Sequence, residues 1–123
     1  MICLDTNYLI LGLVPGSAES QELVGWVRNG ETLITPMPAW YEFICGPVTS
    51  SQVATMRAFL TKLVSFEEPQ AIEAARLFNE VNRKRSLRFD AMIAATALVA
   101  GARLATNNGA DFARFVPHGL KLA

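Results

Sequence analysis

The stretch Ile2-Cys3-Leu4-Asp5-Thr6-Asn7 decides the fold class. Three apolar residues stop abruptly at a trio of helix-capping type, so the segment reads as a short buried strand passing straight into a capping loop. The same alternation recurs along the chain. A short helix is expected over Tyr8 to Leu13, ended by Pro15-Gly16. A second starts near Ser17, carries Leu23, Trp26 and Val27 on one face, and stops at Asn29-Gly30. Thr32 to Thr35 forms the second strand, and a helix follows from Pro38 to Cys45. Thr49 or Ser50 caps a longer helix whose face includes Val53, Met56, Phe59, Leu60 and Leu63. Val64-Ser65-Phe66 reads as a third strand, or else as the tail of that helix.

Pro69 opens a long helix to Lys84, with Ile72, Ala75, Leu77, Phe78 and Val81 on its apolar side. Phe89 to Ala100 is nearly all apolar and is expected to be a central, well-covered helix ended by Gly101. Arg103 to Thr106 is a fourth strand, a short helix runs from Asp111 to Phe115, and Leu120-Lys121-Leu122 closes the chain as an edge strand. Strands alternating with helices predict an α/β fold: three α/β/α layers around a mostly parallel sheet of four to five strands.

With 123 residues, 51% of them hydrophobic and 18% charged, the chain suits one domain over 1–123 with a proper core, and not a disordered protein. A formal net charge of zero gives no general grip on nucleic acid or membrane, so any polyanion must meet a local patch. Cys3 and Cys45 lie in apolar surroundings without a thiol or histidine partner and read as small buried hydrophobes. Met1 leads directly into the first strand, and the apolar run from Ala91 to Ala102 is too short to span a bilayer. A cytoplasmic protein is expected.

The chemistry points to the acidic residues. All three aspartates, Asp5, Asp90 and Asp111, sit beside apolar segments, and Glu42 joins them in Trp40-Tyr41-Glu42-Phe43-Ile44. Carboxylates near a core repel one another and lose hydration, so their ionised forms persist together only against positive charge. A hard divalent cation on oxygen ligands is the simplest compensation. In a parallel sheet, ligands bind beyond the carboxyl ends of the strands, where Asp5 and Asp111 fall and where Glu42 and Asp90 can lean over the same edge. Single-residue alternatives stand beside this: Asp5, Asp90 and Asp111 are each placed to cap a helix. His118, the only histidine, lies in a loop near the C-terminus and reads as a surface residue. Zinc and Ser/His/Asp chemistry are disfavoured accordingly, and no glycine-rich phosphate loop is present.

Four segments in order carry a family resemblance: Leu4-Asp5-Thr6-Asn7; Ala39-Trp40-Tyr41-Glu42-Phe43 followed by Gly46; Phe89-Asp90-Ala91-Met92-Ile93-Ala94-Ala95-Thr96-Ala97; and Thr106-Asn107-Asn108-Gly109-Ala110-Asp111-Phe112. Together they resemble the PIN-domain ribonucleases, most closely the VapC-type toxins of bacterial and archaeal toxin–antitoxin pairs. The resemblance implies a PIN-like fold, dependence on Mg²⁺ or Mn²⁺, and endonucleolytic cleavage of RNA. By position, it makes Asp5, Glu42 and Asp90 the main metal-binding carboxylates, with Asp111 or Asn108 as the fourth. It also gives Thr6, Asn7 and Thr106, with Asn108, the task of orienting carboxylates or waters through hydrogen bonds. Relatives of this kind form homodimers and bind an antitoxin near the active site. Surplus apolar residues on the Tyr8–Leu13 and Thr49–Leu63 helices are compatible with either partner.

Arg83-Lys84-Arg85 with Arg88 holds four of the eleven cationic residues. It reads either as a solvated helix end or as the surface where RNA phosphates approach Asp90. Trp26, Trp40 and the phenylalanines fall at helical spacing and read as core. Two other classes stay in view. A non-catalytic PIN-like binding protein has no reason to keep mutually repelling carboxylates. A phosphoaspartyl phosphatase or receiver domain needs a second acidic residue beside Asp5 and a later lysine, and Lys62, Lys84 and Lys121 sit in poor contexts.

Overall fold

The computed structural model describes residues 1–123. Strands β1 (Ile2–Leu4), β2 (Leu33–Pro36), β3 (Lys62–Val64) and β4 (Arg103–Ala105) form one all-parallel sheet in the order β3-β2-β1-β4. Helices α1 (Thr6–Leu11), α2 (Ala18–Arg28), α3 (Met37–Cys45), α4 (Ser50–Phe59), α5 (Glu68–Glu80), α6 (Arg88–Ala100) and the single turn α7 (Gly109–Phe112) cover it on both faces. The predicted three-layer α/β/α architecture is the one observed.

The strands are short, and every residue of β1 is buried, as expected for a parallel sheet covered on two sides. Alternation along β1 divides the core. Cys3 joins Ile34 and Leu104 against α5, α6 and the C-terminal segment. Ile2 and Leu4 join Leu33 and Ala105 against α1 to α4, where Trp40, Phe43 and Met56 pack. The near-continuous apolarity of α6 has its expected cause, because Ala91 and Ile93 to Ala97 are buried between the sheet and α5. Gly101 ends α6 in the left-handed conformation, φ +68, with its N–H on the Ala97 and Leu98 carbonyls.

Several boundaries differ from expectation. The third strand lies at Lys62–Val64, not at Val64–Phe66: α4 stops at Phe59, Leu60 is extended, and Thr61 N donates to Leu33 O at 2.8 Å. Leu63 therefore belongs to β3 and not to the face of α4. The long helix ends at Glu80, because Asn82 and Arg83 turn left-handed (φ 59 and 55) and Arg83 N reaches back to Phe78 O. Its buried stripe is Gln70, Ala74, Leu77 and Val81, an i, i+4, i+7, i+11 pattern. Ile72 falls opposite that stripe and is 63% exposed, and Ala75 is exposed too.

The helix expected over Asp111–Phe115 splits into α7 and a 3-10 segment, Ala113–His118. Leu122 makes only an isolated parallel bridge to Leu104, not a fifth strand. Cys3 is buried as expected, whereas Cys45, at the end of α3, is exposed. No helix is long and apolar enough to cross a membrane.

Candidate active site

The chain runs from β1 outward through β2 to β3 and returns to the other side of β1 as β4. The strand order therefore reverses between β1 and β4, the place beside the strands' carboxyl ends where open parallel sheets bind their ligands. Asp5, buried, follows β1 directly at that switch point. Its backbone N–H still belongs to the sheet, donating to Ala105 O at 3.0 Å. Asp5 takes the capping role open to it from sequence, as the N-cap of α1, and its side chain is held on both oxygens: Thr6 N donates to Oδ1 at 2.7 Å, and the Thr106 hydroxyl donates to Oδ2 at 2.9 Å. Burial pushes the Asp5 carboxyl above its usual range, the two hydrogen bonds pull it back, and the negative charge of Glu42 adds to the rise.

Thr106 is itself fixed, since Asn108 N donates to its hydroxyl oxygen at 2.9 Å. The Asn108 side chain then donates from Nδ2 to Asp111 Oδ2 at 3.0 Å. One hydrogen-bonded line thus runs Asp5–Thr106–Asn108–Asp111, from the end of β1 past the end of β4 into α7. Asp111 is the third residue of α7, so the capping role open to it from sequence falls instead at the position of Asn108.

Asp90 arrives from the other side. It is the third residue of α6, with Leu87 at the capping position, so it too is no cap. Its carboxyl is lifted from 3.8 to about 6, first by burial, then by the charges of Asp5, Asp111 and Glu42. Every charge in that set is negative. Glu42 reaches the same field from the exposed side of α3, where helical spacing turns Trp40 and Phe43 inward and leaves Tyr41, Glu42 and Ile44 outside. Its apolar neighbours in sequence had suggested a more buried position.

The structure brings Asp5, Asp90, Asp111 and Glu42 into one electrostatic site at one edge of the sheet, with Thr106 and Asn108 joined to it. It does not fold them into a ready-made cage: no three acidic, histidine or cysteine side chains close around one point. Asn7 is exposed and outside the hydrogen-bonded line. Thr6 contributes its backbone N–H, while its buried hydroxyl has no partner.

Arg83, Lys84, Arg85 and Arg88 are all exposed, the first three on the left-handed turn and the 3-10 segment Arg85–Leu87 that lead into α6, and Arg88 as the first residue of α6. None is paired with a carboxylate, and the Arg83 and Arg88 guanidinium carbons lie 5.8 and 5.2 Å from the Phe78 ring centre.

Three supports were not foreseen from the sequence. The buried Thr35 hydroxyl donates to Leu4 O at 2.6 Å, fixing the end of β1 beside Asp5. Asn107 Nδ2 donates to Glu19 Oε1 at 2.9 Å, and the Tyr8 hydroxyl donates to Glu22 at 3.2 Å. Both tie α2 to the segments that follow β4 and β1. A threonine ending a strand was a weak signal for the first; the other two pairs are distant in sequence and left none.

The donor set is hard oxygen throughout, which suits Mg²⁺ or Mn²⁺ and not an ion that prefers thiolate or imidazole. His118 lies elsewhere, its Nδ1 3.7 Å from Glu80 on α5. The partnerless Thr6 hydroxyl beside Asp5 and the uncompensated repulsion on Asp90 are both features that a hydrated cation would relieve. The residues present therefore fit such an ion.

Comparison with known proteins gives a consistent picture. The family model described as "PIN domain" matches residues 2–116. No curated protein sequence matches the chain. Among solved structures, a toxin–antitoxin complex from Klebsiella pneumoniae contains a chain 28% identical, with a TM-score of 0.71, covering 92% of this chain and 91% of that one. The DNA-bound VapBC of Salmonella typhimurium aligns at 24% identity and TM-score 0.74 over 99% and 96% of the two chains. VapBC2 of Rickettsia felis, bound to a promoter DNA fragment, aligns at 19% identity and TM-score 0.77 over 100% and 98%. The last two likenesses are of fold.

Proposed function

Since the chain belongs to the PIN-domain family, we propose that it is a Mg²⁺- or Mn²⁺-dependent endoribonuclease, the toxin half of a toxin–antitoxin pair. The observation that carries the proposal is the acidic edge at the strand switch point, where Asp90 is lifted to about 6 first by burial and then by carboxylates from three other elements. Such repulsion lowers stability at neutral pH, and carboxylates perturbed in this way cluster at functional sites.

In this mechanism Asp5, Glu42 and Asp90 hold the cation, with Asp111 as the fourth carboxylate. When bound, a divalent cation supplies charge against the phosphodiester and makes a nearby water more acidic. The protein's own groups do the placing. Thr6 N and the Thr106 hydroxyl orient Asp5, so one carboxylate is fixed before substrate arrives. Asp90 makes no hydrogen bond in the protein and remains free to adjust toward the cation. The exposed Arg83, Lys84, Arg85 and Arg88 give the approaching RNA backbone its positive surface in an otherwise neutral chain.

The similar solved structures are of toxin–antitoxin and VapBC complexes, which supports a cognate antitoxin as partner here. Exposed Ile10, Tyr41 and Ile44 on α1 and α3 supply apolar surface for it or for a homodimer.

The proposal is tested by cleavage of a mixed RNA pool with Mn²⁺, with EDTA, and with Asp5→Asn or Asp90→Asn. Cleavage requires Mn²⁺ and falls at least 100-fold in both variants; full-rate activity in either one sinks the metal–carboxylate mechanism. One observation favours the alternative of a non-catalytic PIN-like binding protein, namely that the carboxylates do not stand in a closed cage. That alternative predicts RNA binding without cleavage at any Mn²⁺ concentration.

A further inference from the structure

Asn108 and Asp111 compete in the sequence for one place at the cation site, yet in the structure they are joined. Asn108 occupies the capping position of α7, where a side-chain oxygen ordinarily accepts from a backbone N–H of the first turn. It makes no such bond. Its amide nitrogen is turned the other way and donates to Asp111 Oδ2 at 3.0 Å, while its backbone N–H donates to the Thr106 hydroxyl at 2.9 Å. That hydroxyl in turn donates to Asp5 Oδ2 at 2.9 Å. The adjacent Asn107 points outward to Glu19 Oε1 at 2.9 Å, so the segment between β4 and α7 is pinned on both sides.

We infer that Asn108 is a positioning residue of the cation site and not one of its ligands: its side chain aims Asp111, and its backbone steadies the Thr106 hydroxyl that holds Asp5. The inference rests on the cation-binding proposal above. An N–H directed at Oδ2 restricts the Asp111 carboxylate to one orientation and leaves Oδ1 unengaged. Outer partners of this kind commonly set the orientation and basicity of a ligating group.

The two roles separate in a double-mutant cycle read by Mn²⁺ titration of the full chain, with the metal alone and no RNA. Asn108→Ala keeps the backbone N–H and removes only the tie to Asp111, so it weakens Mn²⁺ binding about 10-fold. Asp111→Asn weakens it at least as much. The double variant binds within about twofold of Asp111→Asn, because Asn108 acts only through Asp111. Losses that multiply, to about 100-fold, overturn the inference, as does unchanged binding in Asn108→Ala. Should the alanine variant fail to fold, Asn108→Ser makes the same test, its side chain being too short to span to Asp111. Wild-type protein that takes up no Mn²⁺ would overturn the cation-binding proposal itself, a result distinct from either of the others.

Discussion

Replacing Asp90 with asparagine should abolish cleavage and at the same time make the fold more stable at neutral pH. The two carboxyl oxygens of Asp90 accept no hydrogen bond, so the amide sacrifices none. The ionised form is opposed by burial and by Asp5, Asp111 and Glu42. A rise from 3.8 to about 6 corresponds to roughly 3 kcal/mol between the neutral and charged forms if taken at face value. Asp90 is only partly buried, so solvent screening reduces that to about 1–1.5 kcal/mol. An acidic group in the first turn of a helix normally stabilises by about 0.3–1 kcal/mol; the upward direction of the shift means that repulsion and desolvation outweigh the helix dipole here.

The pH dependence follows from the raised value. Between about pH 4 and pH 6 the folded protein binds more protons at this site than the unfolded chain, so stability falls as pH rises through that window. Asparagine lacks the titration. In EDTA at pH 7.5 the variant should therefore melt about 4–6 °C above wild type, using about 0.26 kcal/mol per degree for a domain of this length. At pH 4 the gap should close. With saturating Mg²⁺ at pH 7.5 the wild type gains stability by ligand linkage and the order narrows or reverses. Thermal unfolding followed by circular dichroism reads all three conditions. A variant that melts below wild type at pH 7.5 in EDTA, or that keeps its advantage undiminished at pH 4, refutes the claim that the carboxylates strain one another.

Other expectations follow from single contacts. Thr106→Val removes the donor to Asp5 Oδ2 and should lower stability by about 1–2 kcal/mol, while Thr106→Ser stays near wild type; urea unfolding of the pair would show equal losses if the hydroxyl is irrelevant. Gly12→Ala should destabilise by about 1–3 kcal/mol, since a Cβ there would lie 2.3 Å from Leu23 Cδ1 and 2.6 Å from Tyr8 O; a melting temperature within 2 °C of wild type, less than about 0.5 kcal/mol, would mean that α1 and α2 separate readily. Neutralising Arg85 and Arg88 together should weaken RNA binding and reduce the salt slope by about two while leaving Mn²⁺ affinity intact, and an unaltered slope in a salt titration would remove the basic run from the interface.

How far the sequence could be read depended on whether the deciding interaction was local. Strand β1 and its stop at Asp5 were legible because a run of apolar residues meeting a capping trio carries its own signal. The same holds for Thr49, which closes a capping box with Gln52, and for Gly101, whose left-handed cap ends α6. The third strand was misplaced by two residues because an edge strand is defined by its neighbour. Only the pairing of Thr35 with Leu63 fixes its register, and nothing within Lys62-Leu63-Val64-Ser65-Phe66 distinguishes the two frames. Ile72 was misassigned for a different reason: an apolar residue on an amphipathic helix is ambiguous until the opposite stripe is known.

The candidate site shows the same division more sharply. The residue types and their order pointed to Asp5, Glu42, Asp90 and Asp111, and apolar neighbours suggested that all four lie near the core. In the structure burial is the first influence on both Asp5 and Asp90, whereas Glu42 joins from an exposed helix face and acts through space. The hydrogen bonds that hold the site were the illegible part, since Thr106 meets Asp5 across 101 positions of chain and Asn107 meets Glu19 across 88. Only the sheet order β3-β2-β1-β4 makes those encounters necessary, by placing the ends of β1 and β4 side by side. Four carboxylates share one electrostatic field here because the topology denies them the separation that their charges would otherwise choose.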